Sequence, residues 1–247
     1  MWQRLSGMFI LLLLAVLPSR AQSADMMVNL TAQLSQHLFD ERSSAAGARG
    51  YTYACPVFGR CNHRIVGLFI DQVGGRQRAW VVAAYPNEDD CHACTSRMTV
   101  EIYDRKAGRW HKTAAFRNFT EWGDWGTVAP KEVKLARLDR GRAVLFLDLS
   151  FMGQGYVEES MRAFLVSDAR IRAIGGLSIG EDNSGAVEDE AAASWWKATY
   201  QVQDGERGRP ELVVRVTDNR GKLSISRFRI TAGGLTPLGR VDRRLLQ

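Results

Sequence analysis

From Tyr51 onward the apolar residues recur at every second position, and that period decides what the chain can fold into. Met98, Val100 and Ile102 alternate with Thr99, Glu101 and Tyr103. Trp196, Ala198, Tyr200 and Val202 alternate with Lys197, Thr199, Gln201 and Gln203, and Leu212, Val214 and Val216 with Val213, Arg215 and Thr217. Successive side chains of a strand point to opposite faces, so this pattern predicts half-buried antiparallel strands with one wet face. Three stretches, 65–70, 79–84 and 143–149, are apolar almost without interruption. Such runs are expected of central strands covered on both sides.

The residues between these stretches agree. "VEIYDRKAGRW" and "VRVTDNRGKL" share one plan, a strand, Asp, a short polar stretch with Gly, a basic residue and a second strand, and "VQDGERGRPEL" is a looser version. Asp and Gly supply the backbone angles that reverse a hairpin. The expected fold is therefore mostly β, an antiparallel meander forming a β-sandwich or barrel, with a small propeller as the alternative. Ahead of it, Asp25 can cap a short amphipathic helix to about Asp40, with Met27, Leu30, Leu34 and Leu38 on one face. "ERSSAAGARG" then reads as a loop, so residues 25–50 are a helix and loop and residues 51–247 the β-domain. The acidic segment 180–194, poor in large apolar residues, is the best candidate for a subdomain boundary.

The first residues place the chain in a compartment. Arg4 precedes an apolar run from Met8 to Leu17, followed by Ser19 and Ala21 at signal-peptidase spacing. Residues 1–21 are expected to be a cleavable secretory signal, with 24 as the alternative end. The run is short of the ~20 apolar residues that a membrane helix needs, and no later stretch is apolar enough to span a bilayer. The protein left after cleavage is expected to be soluble and periplasmic or secreted. It is long enough for one large domain or two small ones.

The formal charge is +6, and removal of Arg4 and Arg20 with the signal leaves +4. The excess gathers near the end, in Arg207, Arg209, Arg215, Arg220, Lys222, Arg227, Arg229, Arg240, Arg243 and Arg244. For an exported protein the anions at hand are envelope polymers and lipid headgroups rather than nucleic acid. Arg215, Arg227 and Arg229 are the candidate binding residues; the other reading of the same charges is a solvated, solubilising face.

Four cysteines remain. Cys91 and Cys94 form a Cys-x-x-Cys, but Thr95 stands where a haem-attachment motif needs His. "TSRMTVEIYD" follows as a strand, so no helix N-terminus is there to activate a thiolate, and a thioredoxin-like site is not expected. Zinc is the serious competitor: Cys55, Cys61, Cys91 and Cys94 could supply four thiolates, with His63 and His92 as substitutes. Against it, Cys55 and Cys61 are widely spaced and an exported chain meets oxidising conditions. Disulfides Cys55–Cys61 and Cys91–Cys94 are expected, each closing a tiny loop worth about 2 kcal/mol; bonds between the two regions are the alternative. No resident metal or cofactor is expected.

Catalytic motifs are few. Ser194 and Lys197 match Ser-x-x-Lys, but they lie in or beside an alternating strand and lack the partner motifs. "EWGDWG" (121–126) places Glu121 and Asp124 beside Trp122 and Trp125. Paired carboxylates can hydrolyse a glycoside and indoles make sugar platforms. Trp122 and Trp125 are thus candidate glycan-binding residues, while a tryptophan-rich turn capping the core explains the same residues. His37, His63, His92 and His111 are scattered.

The Cys-His-x-Cys turn before a strand, "GQGY" at Gly153–Tyr156 and "DNSGA" at Asp182–Ala186 resemble features of uncharacterised exported bacterial proteins. The resemblance implies export from a bacterial cell and carries no function. The expectation is a noncatalytic binding module for an anionic or glycan component of the envelope. A carboxylate-dependent glycoside hydrolase and a structural zinc protein are the alternatives. The sequence names no protein partner.

Overall fold

The computed structural model describes residues 25–27, 64–73, 76–85, 94–124, 128–139 and 141–246. These form thirteen strands: β1 (Asp25–Met27), β2 (Arg64–Val73), β3 (Arg76–Tyr85), β4 (Ser96–Lys106), β5 (Arg109–Trp122), β6 (Val133–Arg137), β7 (Arg142–Gly153), β8 (Tyr156–Ser167), β9 (Ile171–Asp182), β10 (Trp195–Asp204), β11 (Pro210–Asp218), β12 (Leu223–Thr231) and β13 (Gly234–Pro237). Every strand pairing among the described residues is antiparallel. Strands β2 to β5 make a four-stranded sheet in chain order, and β1 followed by β6 to β13 a nine-stranded one. Neither sheet closes into a barrel, and the architecture is sandwich-like.

The layers follow from the apolar pattern. On β7, Ala143, Leu145 and Leu147 pack with Phe69, Trp80, Val100 and Ile102 of the smaller sheet. Val144 and Phe146, on the opposite side of the same strand, pack with Ala198, Val214 and Phe228. Strands β6 to β8 are therefore a central layer covered on both sides, as the run 143–149 predicts. Strand β9 is hydrogen-bonded to β10 through only Asp182↔Trp195, Glu181↔Trp196 and Gly180↔Lys197. Past that corner the sheet folds back, so β10 to β12 lie across the core from β6 to β9. The run 79–84 in β3 is also buried throughout. Residues 66–69 of the run 65–70 are buried too, with Ile65 and Ile70 partly so, but β2 stands at the edge of its sheet rather than in its centre.

All three predicted hairpins form, at β4–β5, β10–β11 and β11–β12. Ala107 and Gly108 both take positive φ, 48° and 78°, at the first of these turns. The left-handed pair matches the twist of the flanking strands. The acidic segment 180–194 connects β9 to β10 within one sheet; the chain changes sheet between β5 and β6.

Two expectations are corrected. Asp25 does not cap a helix: Asp25–Met27 is a strand paired with Arg137–Leu135 of β6. Met26 packs on one core and Met27 on the other, which ties this short strand down. Residues 28–50 lie outside the described residues, as do residues 1–21. The second correction concerns β4, whose Thr99, Glu101 and Tyr103 are buried rather than wet. Glu101 tolerates burial because the Tyr103 hydroxyl donates to its Oε2 and Lys112 Nζ lies 2.5 Å from its Oε1. A buried carboxylate held by an ammonium and a phenol loses far less than a bare one. Among the described residues no helix is long and apolar enough to cross a membrane.

Candidate functional site

The turn after β5 is the first place to look for carboxylate chemistry. Trp122 is the last residue of that strand and is 7% exposed, with its ring in the core shared by the two sheets. Its Nε1 donates to the Asp148 carbonyl at 2.9 Å, and the Arg162 guanidinium lies 5.0 Å from the ring centroid. An indole committed to the core in this way is not offered to a sugar. Glu121 is exposed, paired with Arg97 in the strand register, and its Oε2 accepts from Thr95 Oγ1 at 3.1 Å. Asp124 is half-buried in an isolated bridge beyond the strand end. Trp125 lies outside the described residues.

Near Trp122 the structure gathers a polar group that the period-two reading does not single out. Asp148 sits in the apolar run of β7. Its Oδ1 accepts from the Tyr200 hydroxyl at 2.5 Å, and its Oδ2 lies 2.6 Å from Lys134 Nζ. The ammonium also stands 4.4 Å from the centroid of the Tyr200 ring. Burial, followed by the Asp148 charge, drives the Tyr200 phenol well above its ordinary range. The geometry holds this phenol as a hydrogen-bond donor to Asp148. Glu132 follows in the short 310 turn Pro130–Glu132 and accepts from the Ala129 amide at 2.8 Å. Burial pushes its carboxyl up from the usual range, with the charges of Asp124 and Asp148 adding to the rise. The signal for this cluster was a lone Asp inside a run of large apolar residues.

Cys94 is the one cysteine among the described residues. Cys94 is buried just ahead of β4 and is disulfide-bonded. A thiol so committed is lost to a four-thiolate zinc set. Cys55, Cys61 and Cys91, with His63 and His92, lie outside the described residues. Among the described residues no group of three or more His, Cys, Asp or Glu could hold a metal ion.

The basic residues come together. On β11 and β12 the even positions Leu212, Val214, Val216, Phe228 and Ile230 face the core, so the odd positions lie on the outer face. There Arg215 and Arg227 are exposed, while Val213, expected on the wet side, and Glu211 are buried. Arg215 stands across from Thr199 and Ile225, Arg227 across from Val213, and Arg229 across from Glu211. All three therefore share the outer face of β10 to β12, and the alternation of β10 adds Lys197, Thr199 and Gln201 to it. Arg227 and Lys197 are 53% and 64% exposed at the side chain. Arg229 is half-buried, and its Nε has no hydrogen-bond partner among the described residues. The excess of positive charge near the end of the sequence supplied Arg215, Arg227 and Arg229; Lys197 was readable as the wet side of β10 but not as part of this basic group.

Comparison with protein-family models finds no match, and comparison with curated proteins and with solved structures finds none either.

Proposed function

We propose that this protein is an exported bacterial binding module, noncatalytic, that engages an anionic or glycan component of the envelope through the outer face of β10 to β12. One observation carries the reading: Arg215 and Arg227, with Lys197 beside them, share one solvent-facing sheet surface. A sheet is a rigid support, so cations on it keep fixed spacing at little entropic cost. Retention on an immobilised acidic polysaccharide should fall steeply as salt rises, because exposed charges are screened beyond about 8 Å at physiological ionic strength. Replacing Lys197, Arg215 and Arg227 together by Glu should abolish retention. Unchanged retention would leave the surface a solvated face.

A second reading draws on Glu132. Glycoside hydrolysis needs one carboxyl kept protonated near a second carboxylate. Glu132 has its carboxyl pushed up, with Asp124 contributing to the shift. Hydrolysis of an envelope glycan that disappears in Glu132→Gln and in Asp124→Asn would favour this reading over the first.

A further inference from the structure

We infer that the basic face is a track for a linear, sparsely charged acidic polysaccharide, crossing β10, β11 and β12 diagonally from Trp195 to Arg227. The inference rests on the binding-module reading and specifies its ligand. Lys197 lies across from Thr217, Arg215 across from Thr199, and Val213 stands between Gln201 and Arg227. Each cation is thus one strand over and two residues along from the one before. With strands about 4.8 Å apart and a rise of about 3.4 Å per residue, the charges recur about every 8 Å along a line of about 16 Å.

That spacing selects the ligand. A nucleic-acid strand carries a charge about every 3.4 Å along its axis, far denser than this track. A polysaccharide with one carboxylate on every second sugar is sparser and better matched. Thr199 and Thr217 flank the line between Lys197 and Arg215 and offer hydroxyl groups to sugar hydroxyls, while Val213 and Ile225 flank the line between Arg215 and Arg227. Trp195 stands two residues from Lys197 on the same side of β10 and is 43% exposed. Its main chain is held by Asn219, whose backbone N–H donates to the Trp195 carbonyl at 3.0 Å. An exposed indole beside a cation presents an apolar face to a sugar ring.

Two carboxylates compete for the track. Glu159 is 3.4 Å from Lys197 and Glu211 is 3.6 Å from Arg227, while Arg215 forms no ion pair among the described residues. Both pairs are long and their cations largely exposed. An exposed pair of that kind contributes little, so a ligand charge can replace Glu159 beside Lys197 at little cost. The Glu211 carboxylate, by contrast, is buried, so Arg227 keeps that partner and meets the ligand with its remaining N–H groups.

The test is calorimetric titration of the full exported chain with hyaluronan oligosaccharides of increasing length, which carry one carboxylate per disaccharide. Affinity should rise with length until the oligomer spans about 16 Å and then level off. Trp195→Ala and Arg215→Gln should each weaken binding at least about tenfold, which is about 1.4 kcal/mol. Arg209→Gln and Arg243→Gln, exposed cations off the track, should change it less than about twofold. Inorganic polyphosphate should bind more weakly and show no response to Trp195→Ala. If all four substitutions cost alike, or polyphosphate binds as well and responds alike, the track is refuted while anion binding stands. If no anionic polymer binds at all, the underlying reading falls with it.

Discussion

Asp148 shows how one residue in an apolar strand can organise its surroundings. Its carboxylate takes the Tyr200 hydroxyl and the Lys134 ammonium, and its carbonyl takes the Trp122 indole. Replacement by Ala leaves a buried phenol and an ammonium without their acceptor. We predict a loss of about 1–3 kcal/mol, the cost of stranding the Tyr200 hydroxyl, because the half-exposed Lys134 can turn to water. Trp122→Phe should cost about 1–2 kcal/mol, because it strands the carbonyl but keeps most of the packing. Urea unfolding with unchanged slope checks both, since a changed slope would mean the denatured state had moved. Glu132 acts in the opposite sense. Its folded-state carboxyl is pushed above the unfolded value, so the folded protein favours the protonated form. The stability this confers is present at acid pH and lost as pH rises through the folded value. Glu132→Gln should therefore stabilise the protein at pH 7 and leave it unchanged at acid pH, as read by thermal unfolding across that range. Asp242 is the reverse case: hydrogen bonds from Arg244 hold its carboxyl well below the usual range. It stabilises the fold above the unfolded carboxylate value and loses that contribution as pH falls.

At the scale of elements, two short glycine motifs in the loops turn out to be partners. The β7–β8 turn carries Gln154 and Gly155 at φ 51° and 82°. A Cβ on Gly155 would lie 2.3 Å from the Gly185 backbone, so the "GQGY" turn and the "DNSGA" loop touch main chain to main chain. Gly108, at φ 78° in the β4–β5 turn, has nothing within 4 Å of such a Cβ. The two positions separate conformational strain from steric conflict. Gly108→Ala should cost about 1–2 kcal/mol, the left-handed penalty alone. Gly155→Ala should cost about 2–5 kcal/mol, because backbone has to move as well. Equal losses in thermal unfolding would show that the loop yields freely. These elements also mark what was legible. The hairpins, the buried runs and the wet side of β10 follow from local period and turn chemistry. The burial of Glu101 does not, because its partner Lys112 is brought up only by the β4–β5 register, which carries irregularities at two points. The strand at Asp25–Met27 was hidden for a similar reason: three residues show no period, and their pairing with β6 is more than a hundred residues away in the chain.

For the molecule as a whole, the decisive feature is that β6 to β8 belong to two cores at once. Residues 143–149 announce a strand covered on both sides, yet nothing in the run says which strands do the covering. The structure answers with the smaller sheet on one side and β10 to β12 on the other. Two charged contacts also cross between the sheets. Arg78 of β3 reaches Asp168, in the turn after β8, at 2.7 Å, and Arg137 of β6 reaches Asp71 of β2 at 2.7 Å. A chain of this size often unfolds through intermediates, with each core melting separately. Here neither core can melt alone without stripping one face of β7, which exposes apolar residues the other core depends on. We therefore predict one cooperative transition, with fluorescence and far-ultraviolet circular dichroism coinciding. Leu145→Ala removes a fully buried side chain from the core shared with the smaller sheet. It should cost about 2–5 kcal/mol and shift the whole transition without splitting it. Phe146→Ala, the neighbouring residue on the opposite core, should do the same at about 3–5 kcal/mol. If either variant separates the curve into two steps, the central layer does not couple the cores, and the smaller sheet is an independent folding unit.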